Sequence, residues 1–151
     1  MAKLGRYAAD RKKVVELTTA ATEIRVPACG TVFMLDGTAY SADVTHSLPH
    51  PNEAGKGWWC KFIVQTAVLD AGGDDCLIKV RGEGVSTFVD DLIMLKGFET
   101  EGAAGGDDAD ADFITIKGET IGGSQFEFMC DGNKYYLLMF SKDTAAITVD
   151  T

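Results

Sequence analysis

Apolar and polar residues alternate along this chain in short runs rather than recurring every three or four positions. The longest run is 40–48, where Tyr40, Ala42, Val44, His46 and Leu48 interleave with Ser41, Asp43, Thr45 and Ser47. Such alternation puts one set of side chains on each face of a half-buried strand. It stops at Pro49-His50-Pro51, where two prolines remove backbone donors. Further strands are predicted in KVVELT (13–18), TVFMLDGT (31–38), GWWCKFIVQ (57–65), DCLIKVRG (75–82), VDDLIMLKGF (89–98), ADFITIKG (111–118), SQFEFMCD (124–131), KYYLLMFS (134–141) and AAITVD (145–150). A turn of helix near 89–95 is the one alternative. Asp131-Gly132-Asn133 between two aromatic-rich runs predicts a hairpin, because Gly and Asn tolerate positive φ. Short strands separated by turn residues predict an all-β fold, an antiparallel β-sandwich or jelly-roll-like body.

Within GWWCKFIVQ, Trp58, Cys60, Phe62 and Val64 share one face, and Trp59, Lys61, Ile63 and Gln65 the other. The first set is wholly apolar and is assigned to the core. The second is mixed, which leaves Trp59 partly exposed. Either that ring packs beneath a neighbouring loop or it anchors a subunit interface, where tryptophan is enriched. A sugar-stacking role has little support, since the sequence sets no polar group beside it.

Charge divides the chain. Residues 1–13 carry Lys3, Arg6, Arg11, Lys12 and Lys13 against Asp10 alone, a net +4, while the rest holds nine basic and 22 acidic residues, a net −13. The expected organisation is therefore a basic arm, 1–13, and a body, 14–151. Leu4, Tyr7, Val14 and Val15 intersperse apolar groups among the arm's charges, so Lys3, Arg6, Tyr7, Arg11, Lys12 and Lys13 are the candidate docking residues. Whether the arm is extended or a short helical turn is open from its pattern. An acidic body argues against nucleic acid as a partner, because phosphates need a basic surface. No apolar run reaches the length of a membrane helix. The N-terminal residues lack the apolar stretch of a secretory signal, so synthesis and folding in a cytoplasm are expected.

Candidate chemistry is sparse. Cys29, Cys60, Cys76 and Cys130 form no CxxC pair and have no histidine at ligand spacing, so four buried, reduced thiols are expected rather than a zinc site. Cys60 lies mid-strand on the apolar face, where burial makes a thiol inert. His46 is expected in a core or interface and His50 in a turn. No nucleophile motif accompanies them, and the glycine pairs lack the helix that a phosphate loop needs. The segment 99–112 has six acids and no bulky apolar residue before its end, which reads as a solvated loop; its Asp107–Asp112 stretch does not follow the pattern of a calcium loop. No enzyme activity, cofactor or metal is expected.

The ordered set of features resembles the head decoration, or cement, proteins of tailed bacteriophages. The chain has a short arm before VVELT, then Gly30-Thr31-Val32-Phe33-Met34-Leu35, then a strand ending in Leu48-Pro49. EAGKGWWCKFIV (53–64), DADFITIKG (110–118) and FEFMCDGNKYYLLMFS (126–141) follow. It departs from that pattern at Tyr135-Tyr136, where tryptophan-tyrosine is usual, and in its acidic 99–112 segment. The resemblance implies a virion protein on the outer capsid surface, made in the host cytoplasm. It would be a homotrimer that bridges neighbouring major capsid subunits through its arm. The competing expectation is a head-fibre or lectin-like module that recognises host-surface glycans.

Overall fold

The computed structural model describes residues 12–18, 20–90, 92–95, 110–141 and 147–150. Twelve strands occur among them: β1 (Lys13–Leu17), β2 (Thr31–Leu35), β3 (Val44–Leu48), β4 (Trp59–Val64), β5 (Cys76–Arg81), β6 (Phe88–Val89), β7 (Ile93–Leu95), β8 (Asp110–Ala111), β9 (Phe113–Ile116), β10 (Gln125–Cys130), β11 (Tyr135–Phe140) and β12 (Ile147–Asp150). The fold is all-β. A seven-stranded sheet runs β1-β2-β4-β10-β11-β7-β8, and a smaller one runs β12-β9-β5-β3 with β6 beside β5.

The sheets are mixed, which corrects the expected all-antiparallel pairing. β1 with β2, β2 with β4, β11 with β7 and β3 with β5 are parallel. Parallel neighbours need crossovers rather than hairpins, and here much of the crossing chain is turns and irregular segments. Local alternation carries no trace of that choice.

Two further boundaries move. The alternating run 40–48 is strand only over β3, because Asp36-Gly37 turns the chain first. The Asp36 carboxylate accepts from the Thr38 N–H and hydroxyl, and the Tyr40 N–H bonds the Gly37 carbonyl. Then Pro51 opens a four-residue helix, α1 (Pro51–Ala54), where the sequence suggested only a turn. Proline suits a first helical position, and His50 caps it by accepting the Asn52 N–H at Nδ1, 3.2 Å away. At 89–95 the described residues are strand on either side of a break, β6 and β7, and not helix.

The inward faces of both sheets meet in one apolar core. Phe33 stacks on Phe62, and Phe62 meets Phe128 edge-on, with centroids 5.3 and 5.8 Å apart. Leu48, Ile78, Val80, Ile114 and Ile116 of the smaller sheet belong to the same cluster. Trp58, Cys60, Phe62 and Val64 are all buried, as their alternation predicted. Trp58 also satisfies its indole N–H on the Val26 carbonyl at 2.9 Å, and Tyr135 its hydroxyl on the Pro49 carbonyl at 2.9 Å. Buried aromatic polar ends need such partners.

Candidate interaction surface

Strand register fixes what the larger sheet presents on its other face. Lys61 of β4 stands between Val32 of β2 and Glu127 of β10, and Glu127 faces Leu138 of β11. Val14 of β1 pairs with Val32 and completes that row. On one side of it lies Trp59-Met129-Tyr136, and on the other Glu16-Met34-Ile63-Gln125-Phe140. Val32 is buried at 7 % exposure, and the solvent-facing apolar residues of this outer face sit on β1 and on β10–β11. Val14, Met129, Leu138 and Phe140 are 59, 51, 43 and 60 % exposed, four of the eight large apolar residues that the described chain leaves in solvent. Scattered surface apolar residues are ordinary, but a contiguous set on one sheet face marks a binding surface.

At the centre of that face, Lys61 Nζ is 2.8 Å from Glu127 Oε2, both side chains largely shielded by their apolar neighbours. The described charges of the face are Lys12, Glu16, Lys61 and Glu127, which cancel, in a chain whose net charge is −9. The outer side of the smaller sheet differs. There Lys79 lies over the rings of Phe113 and Phe88, 4.2 and 5.4 Å away, and Arg81 pairs with Glu23 at 2.8 Å.

A hollow of about 370 Å³ opens at the hairpin end of the apolar face, lined by Lys56, Gly57, Met129, Cys130, Asp131 and Tyr136. Its acid is committed to the turn. Asp131 Oδ1 accepts from the N–H groups of Asn133 and Lys134, both at 2.8 Å, and Oδ2 accepts the Tyr136 hydroxyl at 3.0 Å. Those backbone N–H groups hold its carboxyl below the ordinary carboxylate range.

Trp59 is half-buried on β4, as its strand parity predicted, with the Lys12 ammonium 5.2 Å from its ring centroid. Such a contact is worth about 0.5–1 kcal/mol at a partly exposed site. Of the six candidate arm residues, Lys3, Arg6, Tyr7 and Arg11 lie outside the described residues. Lys12 reaches the apolar face, whereas Lys13 opens β1 opposite Thr31, in a row that points to the other side of the sheet. Among the described residues, the expected arm and Trp59 therefore meet at Lys12. Strand-by-strand reading missed the rest of the face, because only the register aligns Val14, Leu138 and Phe140 with it. The available signal was the apolar residues at both parities of KYYLLMFS.

Elsewhere three of the four thiols and His46 are buried. Burial raises the thiols of Cys60, Cys130 and Cys76, the last up to about 12. Cys29 departs from the expectation of four buried thiols and is exposed, since it caps the 3-10 turn Val26–Ala28 instead of entering β2. His46 is buried and accepts the Thr22 N–H at Nδ1, 3.2 Å away. Among the described residues no three His, Cys, Asp or Glu side chains converge as metal ligands. The 99–109 part of the acidic segment lies outside the described residues. A scan against protein-family models found no match, and a search of curated proteins found no significant similarity.

Proposed function

We propose that this chain is a structural, non-enzymatic virion protein of a tailed phage, which binds the outer capsid surface and bridges neighbouring major capsid subunits. The observation that supports it is the outer face of the larger sheet with its exposed apolar residues, on which Lys12 of the basic segment is seated through Trp59. A broad exposed sheet face suits a clamp that works by covering another surface. A basic leading segment suits one that grips a neighbour, since charge at an interface rim steers encounter and fixes register. Several copies attached side by side add avidity without a new kind of contact.

Co-sedimentation tests the reading. Full-length protein is mixed with decoration-free capsids of the phage whose genome encodes it, beside a form lacking residues 1–11, which keeps β1 and the Lys12–Trp59 contact. The full chain is expected to saturate the capsids and the shortened one, folded by circular dichroism, to bind at least tenfold more weakly. Failure of the full chain to sediment with capsids overturns the capsid reading, and full binding by the shortened form overturns the role of the arm.

A glycan-binding module remains the second reading. Its support is the row Trp59-Met129-Tyr136, to which the fold, unlike the sequence, brings polar neighbours in Lys12, Lys56 and Asp131. Binding to immobilised host polysaccharide that is lost in Tyr136→Ala is the result that favours it.

A further inference from the structure

We propose that the outer face of the seven-stranded sheet is a self-association surface, on which a second copy packs about a two-fold axis running along the strands between β4 and β10. This rests on the apolar face described above but not on the capsid reading.

The charge pattern carries the argument. Lys61 and Glu127 face one another on the third and fourth strands of seven, in the middle of three outward rows. A two-fold axis parallel to the strands, lying between them in the plane of contact, carries β4 of one copy over β10 of the other without shifting the rows. Each Lys61 then stands over the Glu127 of the second copy, and each Glu127 over its Lys61. The existing 2.8 Å ion pair becomes a closed set of four alternating charges. A pair already shielded by apolar neighbours is costly to bury alone, and reciprocal partners offset that cost. No acid of the face is set against an acid, which matters for two bodies of net charge −9.

The same operation matches positions on β2, β4, β10 and β11, whereas Val14 and Glu16 of β1 fall beyond the described part of β7. Met34 falls over Phe140, Trp59 over Met129, and Leu138 over Val32, which is only 7 % exposed. Gly30, whose open side meets only the rim of Trp59, falls over Tyr136. An axis along the strands keeps the mean strand directions of the two sheets parallel, within the aligned class of sheet packing. A surface that is self-complementary under a two-fold operation is what a closed pair of identical subunits requires.

Size sets the strength. Four strands, β2, β4, β10 and β11, spaced about 4.8 Å apart and each showing about 17 Å of length, give a footprint of about 330 Å² on each copy. Twice that is below the size of standard protein interfaces, so the pairing expected is weak and transient, micromolar or weaker. A three-fold arrangement, which the phage resemblance implies, uses two different patches on each subunit, whereas this face complements itself.

Sedimentation equilibrium of the full chain alone, from about 1 to about 200 μM, tests the proposal across that affinity range. The average mass is expected to climb from 16.2 kDa towards twice that value. Leu138→Lys, at a half-exposed position that the fold does not need, is expected to weaken association at least tenfold with an unchanged melting temperature. Lys61→Glu sets two carboxylates against each other across the axis and is expected to weaken association likewise, with a lower melting temperature because the 2.8 Å pair within the sheet is lost as well. Lys61→Glu combined with Glu127→Lys restores opposite charges across the axis and is expected to restore the pair. A mass that stays at 16.2 kDa, a mass that levels at three chains, or association indifferent to Leu138→Lys and to charge reversal would each overturn the proposal. No capsid enters this experiment, so its failure is distinct from failure of the capsid reading.

Discussion

Cys29 lies where the 3-10 turn after Pro27 hands over to β2, and its neighbour Gly30 uses its N–H on the Trp59 carbonyl at 2.8 Å. It is exposed, whereas Cys60, Cys76 and Cys130 are buried, with thiols raised by desolvation. Because the thiolate is the reactive form, a disulfide reagent at pH 8 is expected to modify one thiol per native chain and four after denaturation. Cys29→Ser should remove the native reaction, and a second fast thiol in that variant would contradict the burial. His46 offers a pH test. Burial lowers its pKa to about 4, against 6.5 for the free side chain, so the unfolded chain takes up this proton first. Its contribution is intact above about pH 6.5, shrinks as pH falls, and levels off below about pH 4, a loss of about 3 kcal/mol in all. Protonation at Nδ1 also ends acceptance from Thr22. In urea titrations at pH 7 and pH 4.5, the native chain should lose about 2–3 kcal/mol more than His46→Asn. Equal losses would refute the assignment. The alternation of 44–48 made the buried side of His46 legible in sequence. The local signal for Cys29 was Pro27, two residues before it, whose turn keeps Cys29 out of the strand.

Among elements, the β10–β11 hairpin was the most legible. The Asp131-Gly132-Asn133 turn, the strands on both sides and the inward set Phe126, Phe128, Tyr135 and Leu137 follow from turn chemistry and parity alone. Gly132 has φ 99°, a conformation that L side chains rarely adopt, and a Cβ there would approach only Lys56, at 3.7 Å or more. The cost of Gly132→Ala is thus confined to the backbone, about 1 kcal/mol, and should appear as a lower denaturation midpoint with an unchanged denaturant slope. A variant as stable as the parent would mean that the turn relaxes freely. Partner choice was not legible. β1, β2 and β4 lie side by side and parallel because their inward residues Leu17, Leu35 and Val64 share one buried row. Alternation tells each strand which side faces inward but not which strand lies beside it. The outer face was hidden for the same reason, since Val14 and Phe140 are far apart in sequence and join one surface only through four successive strand pairings.

For the molecule as a whole, the consequence is that the two sheets have no separate cores. Phe62 lies fully buried against Phe33 and Phe128, in the cluster that also holds Ile78 and Ile114 of the smaller sheet. Trp58, packed edge-on to Tyr135 with centroids 5.7 Å apart, reports on that cluster from the β4 side. Sheets that share one core lose their packing together, so unfolding should be a single transition. Tryptophan fluorescence and far-ultraviolet circular dichroism are expected to give the same midpoint in urea. Phe62→Ala removes a ring from the middle of the cluster and leaves a cavity that surrounding strands, fixed by ladders on both sides, cannot close. The expected loss is about 3–5 kcal/mol, shared by both signals. Were the fluorescence midpoint to fall while the dichroism midpoint stayed, the sheets would be unfolding independently, and the shared core that holds the outer face in register would have to be abandoned.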